Sequence, residues 1–237
     1  MRALLLAAGL GTRLQPITRS VPKCLVPIRG RPLIDYWFDH LFAAGIFERV
    51  LVNTHYLARQ VQDHVAKSPW AGQIDLVYEG ELLGTAGTIK ANRHYFGGDS
   101  FMVAHSDNLT TFDVGQFVGA HTARPPSCAM TMLTFRTDDP RSCGIVELDA
   151  SGVVTGFHEK INNPPGDLAN AAVYLLTSEV ANFIAGFDKS VIDLSTEVIP
   201  HFVGRIMAVV GSGYHRDVGT FESLQRAERD AAILFSS

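Results

Sequence analysis

The chain has 237 residues, of which 46% are hydrophobic and 19% are charged, and its net charge is −4. This composition is ordinary for a globular protein that buries a core without disulfides, and it offers no basic surface for nucleic acid. No apolar stretch reaches the length of a membrane span, and Gly9 comes too early for a signal peptide. Cys24, Cys128 and Cys143 form no CxxC pair, which is typical of reduced thiols. We therefore expect a soluble, cytoplasmic protein that binds neither nucleic acid nor a membrane.

Short apolar runs alternate with helical patterns in the first half of the chain. The predicted strands are Arg2–Ala7, Arg49–Asn53, Ile74–Tyr78 and Phe101–Ala104. The predicted helices are Pro32–Ala44, Leu57–Ala66, Ala86–Tyr95 and Asp113–Thr122. This alternation predicts an α/β fold with a doubly wound, mostly parallel sheet, in which ligand groups gather at the carboxyl ends of the strands.

The second half changes character, because strand-like runs follow one another with turn signals between them. The predicted strands here are Cys128–Phe135, Gly144–Leu148, Val153–His158, Ala171–Leu176 and Ile206–Val210. A last helix is predicted over Thr220–Leu234. These runs indicate a small β-rich sub-region, and we expect one domain over residues 1–237 without a C-terminal β-helix.

The stretch Leu6–Lys23, which reads LAAGLGTRLQPITRSVPK, is the most informative part of the chain. Glycines in its first half let the backbone approach an anion closely, and Arg13 and Lys23 add cationic groups. A dinucleotide fingerprint would need Gly where Leu14 stands, and a P-loop would need Gly-Lys-Ser/Thr, which is absent. The stretch predicts a phosphate-binding loop, the plainer alternative being a turn-rich connection with incidental charges.

The pattern Gly-x-Gly-Thr-Arg-Leu-x-Pro-x-Thr-x-x-x-Pro-Lys, from Gly9 to Lys23, resembles the sugar-1-phosphate nucleotidyltransferase family. The resemblance implies a Rossmann-like fold and Mg²⁺-assisted, in-line transfer of a nucleotidyl group from a triphosphate to a sugar 1-phosphate, with release of pyrophosphate. The catalytic residues that it implies are Arg13, Lys23 and Asp107. The nucleotide-binding residues that it implies are Leu6, Ala8, Gly9, Gly11, Thr12, Glu79, Gly84 and Thr85. It also makes residues 1–122 a nucleotide-binding half and residues 123–237 a sugar-phosphate-binding half with the closing helix.

Two aspartates follow predicted strands, at positions where the sheet could place them beside bound phosphates. Asp107 follows the strand Phe101–Ala104, and Asp217 lies between the strand Ile206–Val210 and the last helix. An isolated Asp in such a place is usually a helix cap. In the resembled family, however, Ser-Asp and Trp-x-Asp-x-Gly-Thr elements carry the Mg²⁺ ligands, so the resemblance assigns the metal to Asp107 and Asp217. His215 stands here in place of the tryptophan.

The sugar side also shows partial matches to the resembled family. Glu159-Lys160 resembles its Glu-Lys-Pro element, Asn170 opens a segment that resembles Asn-Ala-Gly-x-Tyr, and Gly144 resembles the glycine of Tyr-Gly-x-Val. The resemblance assigns Gly144, Glu159, Lys160 and Asn170 to the sugar phosphate. Ile161 and Cys143 replace a proline and a tyrosine of the family. By itself, a Glu-Lys pair at a strand end is more often a solvated rim.

The run Leu83-Gly84-Thr85-Ala86-Gly87 resembles mannose-1-phosphate and heptose-1-phosphate guanylyltransferases, which favours GTP and a mannose- or heptose-type sugar. Glu79 could accept hydrogen bonds from the N1–H and N2–H₂ of guanine, or it could simply cap the following turn. Uridylyl or thymidylyl transfer remains an alternative. A phosphocholine-type cytidylyltransferase and a non-catalytic nucleotide- or sugar-binding regulatory subunit also stay open, as does a homo-oligomer.

Overall fold

A computed structural model describes residues 1–235. The strands are β1 (Arg2–Leu6), β2 (Pro27–Ile28), β3 (Arg31–Pro32), β4 (Arg49–Thr54), β5 (Ile74–Tyr78), β6 (Phe101–His105), β7 (Asn108–Thr110), β8 (Met130–Arg136), β9 (Gly144–Leu148), β10 (Val154–Glu159), β11 (Leu168–Leu176), β12 (Ile206–Val210) and β13 (His215–Asp217). The helices are α1 (Leu33–Ala43), α2 (Ala58–Val65), α3 (Gly84–Ala91), α4 (Val114–Ala123), α5 (Ser178–Ala185), α6 (Leu194–Glu197), α7 (Ile199–Phe202) and α8 (Phe221–Leu234).

The predicted α/β class with a mostly parallel, doubly wound sheet is confirmed. Each predicted strand and each predicted helix overlaps an observed one. The clearest difference in bounds is that α3 ends at Ala91 and a separate 3-10 turn, Arg93–Phe96, follows it. No helix within residues 1–235 is long and apolar enough to cross a membrane, and α8 is the last element in the same range.

The elements that the sequence did not predict are short, apart from α5. Strands of two or three residues, such as β7 and β13, and helices of four residues, such as α6 and α7, carry too little periodicity to detect. Helix α5 could have been found, since its buried residues Val180, Ala181 and Ile184 have helical spacing.

The described chain divides into two compact units made of interleaved segments. Unit 1 contains Met1–Arg2, Leu83–Ala104 and Phe112–Ser212, and unit 2 contains Ala3–Leu82, His105–Thr111 and the chain from Gly213 onward. The assignment of one domain with halves 1–122 and 123–237 stays a prediction.

In unit 2, β1, β4 and β5 lie in that order in the sheet, and β4 pairs with β5 in parallel. The strands and α1 are strongly apolar, and the side chains of Leu4, Val52 and Phe38 are fully buried. A second cluster of buried residues joins α1, α8 and the β7–β13 ribbon: Ile28, Leu33, Tyr36, Leu109, Val218, Ala227 and Ala231. Trp37 and Asn108, which are the chain neighbours of the cluster residues Tyr36 and Leu109, add a hydrogen bond in which Trp37 Nε1 donates to Asn108 O at 2.8 Å. Packing on α1 and α8 therefore fixes the ribbon.

In unit 1, the nine-residue strand β11 pairs antiparallel with β6, β8 and β9, and β10 pairs antiparallel with β9. Strand β12 pairs in parallel with β8. These strands correspond to the small β-rich sub-region that the sequence predicts. The register of β11 against β8 is interrupted between Asn170 and Tyr174, which gives this strand an irregular segment in the middle.

A buried histidine of unit 1 makes folding sensitive to acid. The His121 side chain is 3% exposed, and its ring nitrogens contact Thr131 Oγ1 at 2.8 Å and Ser100 Oγ at 3.0 Å. Burial, helped by the charge of Arg124, lowers the pKa of His121 to about 4. Because the unfolded chain binds this proton at higher pH than the folded chain does, unfolding becomes easier as the pH falls through this range.

We expect the free energy of unfolding to fall by about 2 kcal/mol between pH 6.5 and pH 4 because of His121 alone. The measurement is urea unfolding across this range for the wild type, for His121→Gln and for a variant of an exposed histidine, His94→Gln. The wild type and His94→Gln should lose stability in parallel, and His121→Gln should give a flatter curve. Equal slopes for all three proteins would contradict the prediction.

Candidate active site

Lys23 lies at the centre of a charged cluster in unit 2. Its side chain is largely buried, and its Nζ donates to Asp107 Oδ2 and lies 3.6 Å from Asp217 Oδ1. Arg13 lies at the edge of the same cluster, with its Nη2 3.9 Å from Asp217 Oδ2. Four residues that the sequence predicted for phosphate and metal binding are thus brought together.

The loop that carries these cations folds as three consecutive 3-10 turns, Thr12–Leu14, Ile17–Arg19 and Lys23–Leu25. Gly11 begins it in the left-handed region, with φ of 63°, and its carbonyl accepts from Thr18 Oγ1 at 2.7 Å. A Cβ on Gly11 would lie 2.9 Å from Thr18 Cγ2 and 3.2 Å from Lys23 Cβ. Gly11 is therefore required both by the backbone angle and by the closeness of the returning chain. By contrast, a Cβ on Gly9 would meet no described atom within 4 Å.

The two aspartates are brought side by side by a ribbon that the sequence analysis missed. Asp107 lies in the turn between β6 and β7, and Asp217 ends β13, where it pairs with Asn108. Val218 N donates to Asp107 O at 2.9 Å, which extends the pairing past the strand. Ser106 secures the other side of the turn, since both its N and its Oγ donate to Leu6 O.

Neither aspartate caps a helix, which was the plainer alternative. Asp107 leads into β7, and the cap of α8 is Thr220, whose side chain accepts from Ser223 N. Asp217 lies between β12 and the last helix, as the sequence indicates, and it belongs to a short strand of its own, β13. The motif around Asp217 identifies this residue in the sequence. The pairing of β7 with β13 could not be predicted, because strands of three residues show no periodicity.

The charges of this cluster act on one another. Burial alone would raise the pKa of Asp107, but the charges of Lys23 and His105 and the hydrogen bond from Lys23 bring it below its usual value. The pKa of Asp217 is raised by desolvation and by the charge of Asp107, against the opposing effect of Lys23. Two carboxylates therefore share one buried ammonium group. A further positive charge beside them would be stabilising.

This donor set suits a divalent cation that also takes oxygen atoms from a phosphate ligand. Mg²⁺ is commonly held by one or two carboxylates together with substrate phosphates and water. Within residues 1–235, no group of three or more His, Cys, Asp or Glu could hold a metal. The space beside Asp217 is also restricted, since a Cβ on Gly219 would lie 2.7 Å from Asp217 Oδ2 and 3.0 Å from Arg13 Nη2. Asp107 and Asp217 thus fit a cation that a bound phosphate helps to hold.

His215, which replaces the tryptophan of the resembled element, lies beside the aspartates on β13. Desolvation lowers its pKa to about 3, against the opposing effect of Asp107. The ring is therefore neutral at physiological pH and adds no charge to the cluster.

Glu79 follows β5 in unit 2 and is 5% exposed. Its Oε1 accepts from Asn53 Nδ2 at 2.9 Å. The next helix, α3, begins after Leu83, which has no polar side chain to cap it. Asn53 was not among the predicted site residues, and the only signal for it was a polar residue near the end of an apolar strand.

Gly84 and Thr85 lie in unit 1, at the start of α3. A Cβ on Gly84 would lie 2.6 Å from Ile192 O, and one on Gly87 would lie 2.2 Å from Ser190 O. Thr85 Oγ1 accepts from Leu194 N at 2.7 Å. The close packing of residues 190–192 thus explains why Gly84 and Gly87 are glycines. A role for this run in binding the base stays a prediction.

Three of the predicted sugar-binding residues lie together in unit 1. Glu159 ends β10 opposite Gly144 of β9, and a Cβ on Gly144 would lie 2.7 Å from Glu159 Oε2 and 2.9 Å from Phe157 Cζ. Lys160 has a left-handed backbone, with φ of 50°, and its Nζ lies 3.3 Å from Glu159 Oε1. Gly144 is therefore required for the Glu159 carboxylate to occupy its observed place.

Asn170, the fourth predicted sugar-binding residue, is held at both ends of its amide. Its Oδ1 accepts from Ala172 N at 2.9 Å, and its Nδ2 donates to Tyr174 Oη at 2.6 Å. Burial raises the pKa of Tyr174 well above its usual value, so the phenol stays protonated. Ala172 occupies the left-handed region, with φ of 52°, at the position where the resembled element has glycine.

Because an L-residue is strained at this backbone angle, Ala172→Gly should stabilise the fold by about 0.5–1 kcal/mol. The matched control is Ala171→Gly, which introduces glycine one residue earlier, at a buried position without a positive φ. The control should destabilise the protein by about 1 kcal/mol or more. Urea unfolding measures both, and destabilisation of similar size in the two variants would contradict the assignment of strain to Ala172.

The sequence and the fold of this chain are similar to those of known proteins. Residues 2–232 match a family model described as "Nucleotidyl transferase". A mannose-1-phosphate guanylyltransferase of Mycobacterium tuberculosis is 33% identical over 234 residues, covering 96% of this chain and 64% of the relative. A glucose-1-phosphate thymidylyltransferase of Streptomyces griseus is 32% identical over 235 residues, covering 97% and 65%. The chain thus spans slightly less than two thirds of the length of these relatives.

A solved structure shows the same similarity in three dimensions. The crystal structure of HddC from Yersinia pseudotuberculosis in complex with GMP-PN superposes with a TM-score of 0.81 at 26% identity. The match covers 97% of this chain and 98% of that one.

Proposed function

Because this chain belongs to the nucleotidyl transferase family, we propose that it transfers a nucleotidyl group from a nucleoside triphosphate to a sugar 1-phosphate. A phosphate oxygen of the sugar 1-phosphate attacks the α-phosphorus, and the bond from that phosphorus to the bridging oxygen of pyrophosphate breaks. The observation that carries the proposal is the contact of Lys23 with both Asp107 and Asp217. Positioning and neutralisation of charge are the main requirements of phosphoryl-type transfer.

The residues of the cluster have separate roles in this proposal. Arg13 and the backbone at Gly11 and Thr12 hold the phosphates that leave as pyrophosphate. Lys23 neutralises the charge that develops at the α-phosphate, because its largely buried ammonium group lies beside the two aspartates proposed to hold the metal. Asp107 and Asp217 would hold Mg²⁺, which supplies Lewis-acid stabilisation of phosphate oxygens when it is bound.

On the sugar side, the proposal gives Glu159, Lys160 and Asn170 the contacts to the sugar 1-phosphate, with Gly144 making room for Glu159. The amide of Asn170 is pre-oriented by its bonds to Ala172 and Tyr174, which reduces the entropy lost on binding. The carboxylate of Glu159, which lies over Gly144, is suited to accept hydrogen bonds from sugar hydroxyl groups.

GTP and a mannose- or heptose-type 1-phosphate are the favoured substrates. The Mycobacterium tuberculosis relative is named a guanylyltransferase and HddC was solved with GMP-PN, which support guanine. Glu79 offers a buried carboxylate that would accept from the N1–H and N2–H₂ of this base. The Streptomyces griseus relative is named a thymidylyltransferase, so uridylyl and thymidylyl transfer form the alternative.

The test is a pyrophosphate-release assay with Mg²⁺, in which GTP, ATP, CTP, UTP and dTTP are each paired with hexose and heptose 1-phosphates. The proposal expects release with one or a few pairs, with GTP and a mannose- or heptose-type 1-phosphate giving the largest kcat/KM. A preference for UTP or dTTP would overturn the choice of base while keeping the reaction. Absence of release with every pair would overturn the reaction and favour a regulatory subunit that only binds nucleotide or sugar.

A further inference from the structure

Two hydrogen bonds cross the carboxyl ends of three neighbouring strands in unit 2. Ala7 N, directly after β1, donates to Asn53 Oδ1 at 2.7 Å. Asn53 lies on β4, and its Nδ2 donates to Glu79 Oε1, directly after β5, at 2.9 Å. One amide side chain therefore links the start of the Leu6–Lys23 loop to the carboxylate of Glu79.

The orientation of this amide is fixed by its partners. An amide N–H can only donate, so the contact with Ala7 requires the oxygen of Asn53 on that side and directs the NH₂ group to Glu79. The two side chains are nearly inaccessible, with Asn53 3% and Glu79 5% exposed. Hydrogen bonds of buried groups are costly to break, which keeps the arrangement rigid.

The backbone of Glu79 is held as firmly as its side chain. Glu79 N donates to Thr54 O at 2.8 Å, and Glu79 O lies 2.8 Å from His55 Nδ1. Residues 53–55 at the end of β4 thus fix Glu79 at three points: its N–H, its carbonyl and one carboxylate oxygen. A carboxylate held in this way is pre-organised to accept N–H donors in one geometry only.

We propose that Asn53 is a positioning residue for base selection, acting through Glu79 and not by contact with the reacting atoms. The inference deepens the proposed function and rests on it. A rigid, buried carboxylate favours a base whose edge presents N–H donors and rejects one that leaves it unpaired. Because Asn53 is also bonded to Ala7, it sets the carboxylate relative to the loop assigned to the triphosphate.

The test replaces only the donor half of the amide. Asn53→Asp retains an oxygen that accepts from Ala7 N and puts a carboxylate oxygen where an N–H faced Glu79. We expect the ratio of kcat/KM between the preferred nucleotide and the other triphosphates to fall by about tenfold or more, mainly through KM. Calorimetric titration of the corresponding nucleoside monophosphates should show the same loss of preference. Asn92→Asp adds the same charge in unit 1, at a helix end where Asn92 Nδ2 donates to Thr88 O, and should leave the ratio unchanged.

A purely structural role for Asn53 predicts a different result, namely a lower Tm and a loss of kcat/KM that is equal for every nucleotide. This result would overturn the inference. The double variant Asn53→Asp/Glu79→Gln guards against poor folding, because glutamine restores a donor opposite the new carboxylate. Its Tm should recover while the base preference stays lost, and recovery of the preference would also overturn the inference. The proposed function fails separately, if the wild type releases no pyrophosphate with any substrate pair.

Discussion

Asp107→Asn is expected to lower the rate of pyrophosphate release by about 10³-fold while leaving the Tm within a few degrees of the wild type. The carboxylate of Asp107 is stabilised in its charged form by Lys23 and His105, so the site holds a full negative charge that an amide cannot supply to a cation. The fold should tolerate the change for two reasons. Asparagine keeps an oxygen that can accept from Lys23, and the loss of one charge relieves the repulsion that raises the pKa of Asp217.

The matched control for this variant is Asp63→Asn, which removes a carboxylate from an exposed ion pair with Arg59 in α2. Exposed pairs contribute little to stability, so both Tm and turnover should stay at the wild-type level. Steady-state kinetics over a range of Mg²⁺ concentrations and thermal unfolding measure the two properties. Near-normal turnover of Asp107→Asn would remove Asp107 from the proposed metal site, and a large loss of Tm would show that its role is structural.

The fold could be predicted from the sequence because its main strands and helices are long enough to show a period. Strand β5 and strand β12 were predicted with their observed bounds. The ribbon of β7 and β13 could not be predicted, although it brings the two aspartates together, because each strand has three residues. A motif can therefore identify Asp107 and Asp217 without indicating what holds them together.

The candidate site shows the same division between motif and long-range packing. Gly11 was predicted from its loop, and the structure adds the closeness of Thr18 and Lys23 as a second cause. The resemblance assigns Gly84 to the nucleotide, and the structure adds a separate reason for glycine at Gly84 and Gly87, because residues 190–192 occupy the space that their side chains would take. Such a contact joins segments about a hundred residues apart, which no local pattern can reveal.

Asn53 is the most instructive omission. A polar residue at the end of an apolar strand is common and carries no specific signal. Its importance follows only from the order of β1, β4 and β5, which places it between Ala7 and Glu79. Residues that position others are thus harder to find in a sequence than residues that contact a ligand.

Lys23→Met should have the largest combined effect on folding and activity. Removal of the ammonium group leaves Asp107 and Asp217 together without their shared partner. The Lys23–Asp107 pair is largely buried whereas Asp217 is half exposed, so the loss of the ammonium group should cost about 3 kcal/mol. Transfer should fall by about 10³-fold because the charge at the α-phosphate is no longer neutralised.

The same variant offers a test of the metal site that does not depend on activity. Without the lysine, the two carboxylates should bind a cation more tightly, so Mg²⁺ should raise the Tm of Lys23→Met more than that of the wild type. Lys67→Met, which removes an exposed lysine, should match the wild type in Tm, in turnover and in its response to Mg²⁺. An unchanged Tm for Lys23→Met would contradict the central place of Lys23 in the cluster. If Mg²⁺ failed to stabilise Lys23→Met more than the wild type, the pairing of Asp107 with Asp217 as metal ligands would have to be abandoned, since two adjacent carboxylates that have lost their lysine should bind the cation more readily.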